Sequence, residues 1–243
     1  GESLGSFYLY ESNGVFSTAK EAAEAGYIDK ISKSNGGQPV AGDARWVDQN
    51  KDGVIDTKDK IIAGNPIPDF TGGLNNTFKY KGLSLDAFFQ FSKGNDVYNN
   101  FRTDLVRGFN TNYLKENLDA WKQEGDITDV PRNVLLDPAN NSEGVVARPS
   151  TRFLEDGSFI KLKTVTLTYE FPNSVLEKLK LSGLKVYAKG TNLLTITKYS
   201  GFDPEVSVAQ NNNAGQNGGF QFGIDRGLYP LSKSITLGLS LDF

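Results

Sequence analysis

Cysteine, histidine and methionine are all absent from the 243-residue chain. Without cysteine there is no disulfide framework and no thiolate, and without cysteine or histidine the common nucleophilic triads, zinc centres and haem ligation lose their parts. Only carboxylate, hydroxyl or lysine chemistry is left, so the chain reads as a protein that is not an enzyme. No run of about 18 apolar residues occurs and no signal peptide opens the chain, which excludes a helical membrane protein. Charge of one sign is missing too: 26 Lys and Arg stand against 29 Asp and Glu, a net charge of -3, and offer no basic surface to nucleic acid. The start at Gly1, in mid-pattern and without an initiator Met, reads as a fragment.

What is present is alternation. In the last stretch Ile235, Leu237, Leu239, Leu241 and Phe243 share one parity, while Ser234, Thr236, Gly238, Ser240 and Asp242 share the other. A period of two over about ten residues is a strand with one apolar and one wet face, in a soluble sandwich or in a membrane-spanning barrel. The same alternation predicts a hairpin of two long strands, 69–81 and 83–94, turning at Lys81-Gly82. Strands are also expected at 158–171 and 183–194, and Ser6 to Tyr10 reads as the end of another. Ile160 and Leu162 lie on the opposite parity to Val165, Leu167, Tyr169 and Phe171, so a bulge near Lys163-Thr164 is needed. Short helices are expected at Thr18 to Ala25, capped by Ser17 or Thr18 with Glu21 near N3, and at Ser174 to Lys180. Helical pieces are also expected near Tyr98 to Val106 and Tyr113 to Gln123.

The most chemically specific stretch is 48–59. Asp48, Asn50, Asp52, Asp56 and Asp59 occupy positions 1, 3, 5, 9 and 12 of an EF-hand calcium loop, and Val54 stands where a backbone carbonyl ligates. A hard cation needs six to eight oxygens around one point, which this spacing supplies. Gly53 sits at the sharp turn and Ile55 at the inward anchor. Asp59 departs from the usual Glu, and its shorter reach weakens bidentate coordination. Gly64-Asn65-Pro66 follows closely, so the loop stands alone and suits a structural calcium clamp better than a paired sensor.

Connection lengths then decide between sandwich and barrel. They run long (13–68), short (81–82), long (95–157), short (172–182), long (196–229), a sorting that outer-membrane barrels show between extracellular loops and periplasmic turns. Phe70, Tyr80, Phe171, Tyr199 and Tyr229 near strand ends suit interfacial girdles.

Family-specific sequence appears at several places. Gly5-Ser6-Phe7-Tyr8, Gly42-Asp43 leading into 48–59, Gly64-Asn65-Pro66 and Gly94-Asn95-Asp96-Val97-Tyr98-Asn99 come first. Phe153 to Lys163, Asn192-Leu193-Leu194 and Tyr199-Ser200-Gly201-Phe202-Asp203-Pro204-Glu205 follow in the same order as in the family. Together they resemble the carboxyl-terminal part of SusC/RagA-family TonB-dependent outer-membrane transporters. The resemblance implies an all-β segment of about six antiparallel strands in a barrel of roughly 22, with long extracellular loops carrying short helices. It also implies import of glycans or peptides across the outer membrane of a Gram-negative bacterium. A SusD-like lipoprotein would cap the mouth, and the plug, the remaining barrel and the contact to TonB would lie outside this chain.

Under that reading Lys79, Asp86, Gln90, Lys185 and Tyr187 face the interior, and the loop aromatics Phe101, Phe109, Trp121, Phe202, Phe220 and Phe222 are candidate substrate contacts. Phe243 is expected in the periplasm and every long excursion outside the cell. Two rivals stand beside it: a secreted, calcium-stabilised soluble β-domain acting as a binding module, and a barrel enzyme using Glu155, Asp156, Asp203 or Glu205.

Overall fold

The computed structural model of the chain describes residues 1–32, 34–107, 112–134, 142–143, 146–205 and 222–243. They form two compact units. One comprises Pro68–Asn95, Asp156–Glu205 and Leu228–Phe243; the other comprises Gly1–Ile67, Asp96–Glu155 and the described part of Val206–Gly227.

The first unit is a wall. Five strands, Phe70–Tyr80, Leu83–Lys93, Phe159–Glu170, Gly183–Thr197 and Ser234–Asp242, form an antiparallel meander in which each pairs with the next. Registers carry the alternation across all five. Phe78, Leu85, Leu167, Ala188 and Leu237 form one continuous row, and the next row is Thr77, Asp86, Thr166, Lys189 and Thr236. One face is therefore apolar and open to the surroundings, with Ile235 and Leu237 each 79% exposed. The expected bulge lies between Leu162 and Thr164 in both pairings of its strand, and it returns Ile160 and Leu162 to the apolar face. At the tight turn Lys81 and Gly82 have φ of 45° and 81°, the left-handed pair that matches hairpin twist. The other short connection holds the helix Asn173–Leu179, entered from Pro172.

The sixth expected strand belongs elsewhere. Phe7–Tyr10 pairs antiparallel with Lys60–Gly64 in a two-stranded sheet of the second unit, so among the described residues the wall has five strands where about six were expected. The reason is burial on both parities: Phe7, Leu9 and Tyr10 all point into cores, which leaves no single face for lipid.

The second unit takes described residues from each of the three long excursions. One core cluster joins Phe7 and Leu9 to Tyr98, Val106 and Phe153; the other joins Tyr10, Ala44, Trp46 and Ile55. Of the two expected caps of the first helix, Thr18 is used: its Oγ1 accepts from Glu21 N at 3.2 Å, and Glu21 Oε2 accepts in return from Ser17 N at 2.9 Å. Of the helical pieces expected later, one forms as Asn100–Arg107 and the other shortens to a 3-10 turn, Lys115–Asp119. Among the described residues no helix is long and apolar enough to cross a membrane.

Candidate functional site

Residues 48–59 turn sharply, with Lys51 and Gly53 at φ of 61° and 76°. Their side-chain oxygens hold the loop's own amides. Asp48 accepts from Lys51 N and Gly53 N at 2.7 and 2.8 Å, Asn50 from Asp52 N at 3.0 Å, and Asp52 from Val54 N at 3.0 Å. Asp56 accepts from Lys58 N at 2.8 Å, and the fully buried Asp59 accepts from Gln49 N and Asp56 N at 3.0 and 2.8 Å. Ile55 is buried in the second core cluster, and Val54–Ile55 pairs in parallel with Ile28–Asp29.

The donor set suits calcium, since it is all hard oxygen and each carboxylate oxygen that accepts one amide keeps a second lone pair. Among the described residues no three carboxylates are grouped closely enough to hold a cation in this conformation.

On the wet face of the wall, the residues expected to face inward do share one side, and most are engaged. Asp86 accepts from Thr77 Oγ1 at 2.5 Å, Lys185 Nζ lies 3.0 Å from Glu170 Oε1, and the Tyr187 ring lies over Gly238. Only glycine fits beneath that ring, because an added Cβ would come within 2.1 Å of it. The residue that sequence reasoning missed is Lys161. It is 3% exposed, and its ammonium group lies 2.5 Å from Asp203 Oδ1 and 2.8 Å from Glu205 Oε2. Lys163 Nζ donates to the same Glu205 oxygen at 2.7 Å, and Gln90 Nε2 reaches Glu205 Oε1 at 3.5 Å.

Burial pushes the Glu205 carboxyl up, but hydrogen bonds and charge from Lys161 and Lys163 outweigh it and hold the group below the ordinary range. Asp156 is likewise held low, chiefly by hydrogen bonds from Ser158. Glu155 accepts from Asn99 Nδ2 at 3.1 Å and Arg102 Nη1 at 3.4 Å. Neither Glu205 nor Asp156 is set up as a general acid, which needs a raised pKa.

The candidate aromatics divide. Trp121 donates its indole N–H to Ser17 O at 3.0 Å and packs on Gly42; Phe101 packs on Gly227. Phe202 and Phe222 are exposed, and Phe109 and Phe220 lie outside the described residues. Tyr199, expected in a girdle, is buried and packs on Gly201.

No family model matches the chain. Over its whole length it is 35% identical to TonB-dependent receptor P3 of Formosa agariphila, of which it covers 22%. Over 91% of its length it is 29% identical to TonB-dependent receptor SusC of Bacteroides thetaiotaomicron, of which it covers 20%. In structure it matches the RagAB peptide transporter at 28% identity, with a TM-score of 0.72 over 98% of this chain and 22% of that one. Over nearly all its length the chain is thus similar to a part of the TonB-dependent receptors of the SusC/RagA family. It spans about a fifth of the length of these curated relatives. The family's receptors are outer-membrane proteins of Gram-negative bacteria and not enzymes. The five-stranded wall corresponds to a stretch of the barrel of these receptors, apolar on one face and polar on the other.

Proposed function

We propose that the chain supplies a stretch of barrel wall, with the loops above it, to a TonB-dependent outer-membrane importer of glycans. The observation that carries this reading is the two-faced wall, apolar in one continuous row and made of Thr, Asp and Lys in the next, a surface suited to lipid outside and hydrated cargo inside. Excursions 13–68, 95–157 and 196–229 are extracellular in this reading and Phe243 is periplasmic. A SusD-like lipoprotein serves as lid, while plug and TonB contact belong to other parts of the receptor. Calcium in 48–59 acts as a structural clamp of the extracellular unit. A secreted soluble β-domain is disfavoured, because it would leave Ile235 and Leu237 in water.

The RagAB neighbour is described as a peptide transporter, which supports import and keeps peptide as the rival cargo. The test is uptake by cells that lack the full-length receptor and regain it from a plasmid. Restored uptake of fluorescent oligosaccharides is expected; restored uptake of labelled oligopeptides alone would move the cargo to peptide.

A further inference from the structure

We propose that Lys161 is a positioning residue for the imported oligosaccharide, acting through Asp203 and Glu205 to hold the Phe202 ring as a stacking surface on the wet side of the wall. The inference rests on the importing reading above and deepens it.

Lys161 leaves its strand on the wet face, in register with Gln90 and Thr195. Its ammonium group is enclosed by the two carboxylates and by the Phe159 ring, whose centroid is 5.0 Å away. The bulge adds Lys163 to the same Glu205 oxygen. Asp203 Oδ1 also accepts from Glu205 N at 2.9 Å, which closes the backbone immediately after Phe202. Immediately before it, the buried Tyr199 ring packs on Gly201 so closely that an added Cβ would come within 2.4 Å.

Phe202 is thus pinned on both flanks and yet 61% exposed. A lysine withdrawn from water needs strong pairing to be tolerated, and wall stability alone does not call for one at a position where the neighbouring strand carries Thr195. What the buried pair does accomplish is to fix the 199–205 turn. A ring held in place before binding loses little freedom on contact, so more of the contact energy appears as affinity. The flat hydrocarbon face of a pyranose ring is the chemistry that a phenyl face of this kind takes, its hydroxyls remaining free for the Thr and Ser rows of the wall.

The experiment uses the full-length receptor in membranes and measures binding of fluorescent maltoheptaose, laminarihexaose and a labelled decapeptide pool. Phe202→Ala should weaken binding of the preferred oligosaccharide about tenfold, the scale of a single well-placed aromatic contact. Phe202→Tyr should not. Lys161→Met should reproduce the Phe202→Ala loss, Lys161→Arg should restore binding, and the double variant should be no worse than either single one. If Lys161→Met fails to reach the membrane, Glu205→Gln combined with Asp203→Asn carries the same comparison. Oligosaccharide binding unchanged by Phe202→Ala overturns the proposal and leaves the importing reading standing. Binding lost in Phe202→Ala but kept in Lys161→Met overturns the positioning role. Wild-type binding of the peptide pool alone moves the cargo to peptide and overturns this proposal, while import itself stands.

Discussion

Arg148 and Asp29, 119 residues apart in the chain, meet in a buried ion pair with Nη1 2.9 Å from Oδ2. The guanidinium also lies over the Trp46 ring, 4.5 Å from its centroid, and so fastens the 95–157 excursion to the core of the 13–68 excursion. Breaking a buried pair from one side leaves the other charge uncompensated and costs about 3–5 kcal/mol. Arg148→Met should therefore speed amide hydrogen exchange at Tyr10 and Lys30, which lie beside the pair, and leave the strand amides of Leu85 and Leu167 unchanged. Equal protection at Tyr10 in wild type and variant would refute the fastening role.

Loop 48–59 should respond to calcium. Extracellular modules with this kind of loop bind at about 10⁻⁴–10⁻³ M, and Asp59 in place of Glu argues for the weaker end. Exchange at Lys51, Gly53 and Val54 should slow as calcium rises through that range. Asp52→Asn keeps an oxygen to accept from Val54 N but removes a charge, so the turn should survive while the calcium midpoint rises. A loop whose exchange is the same in chelator and in millimolar calcium would dispose of the clamp.

The Lys161 cluster predicts acid sensitivity of a definite sign. Glu205 has a folded-state pKa below its unfolded value, so its contribution is fully present above the ordinary carboxylate range and is lost as pH falls through the depressed value. Lys161, Lys163, Asp203 and Gln90 face it. A probe attached at Phe202→Cys should stay immobile from neutral pH down to the ordinary carboxylate range and loosen only below it. In a Glu205→Gln background it should already be looser at neutral pH. Loosening between pH 7 and 6 would point to a different group.

How much of this was legible in the chain follows from what each feature depends on. The five wall strands and the bulge between Leu162 and Thr164 were readable because period-two parity is local, and a parity jump has one cheap geometric solution. Phe7–Tyr10 was misassigned because four β-prone residues state that a strand forms and say nothing about which sheet takes it. Lys161 and Asp203 could not be paired, since they are 42 residues apart and their meeting depends on a register that composition does not encode. The burial of Arg148 depends likewise on the fold that brings Trp46 and Tyr10 to it. For 48–59 the oxygens could be read off by spacing, but their amide partners could not.

Leu167 and Thr166 are neighbours in one strand at nearly the same depth, and the rows they occupy make the sharpest test of the wall. Leu167 lies between Leu85 and Ala188 on the apolar face, whereas Thr166 lies between Asp86 and Lys189 on the wet one. A lysine on the lipid side of a barrel costs about 2–4 kcal/mol at the midplane and less towards the interfaces, while a lysine facing the lumen meets water and, at this position, the Asp86 carboxylate. Leu167→Lys should therefore lower the amount of heat-resistant full-length receptor in outer membranes several-fold, and Thr166→Lys should leave it near the wild-type level. Because the two substitutions add the same charge one residue apart, expression and general charge effects cancel between them. The reverse order, with Thr166→Lys the damaging change, would mean that the apolar row is an interior core and that the wall does not face lipid.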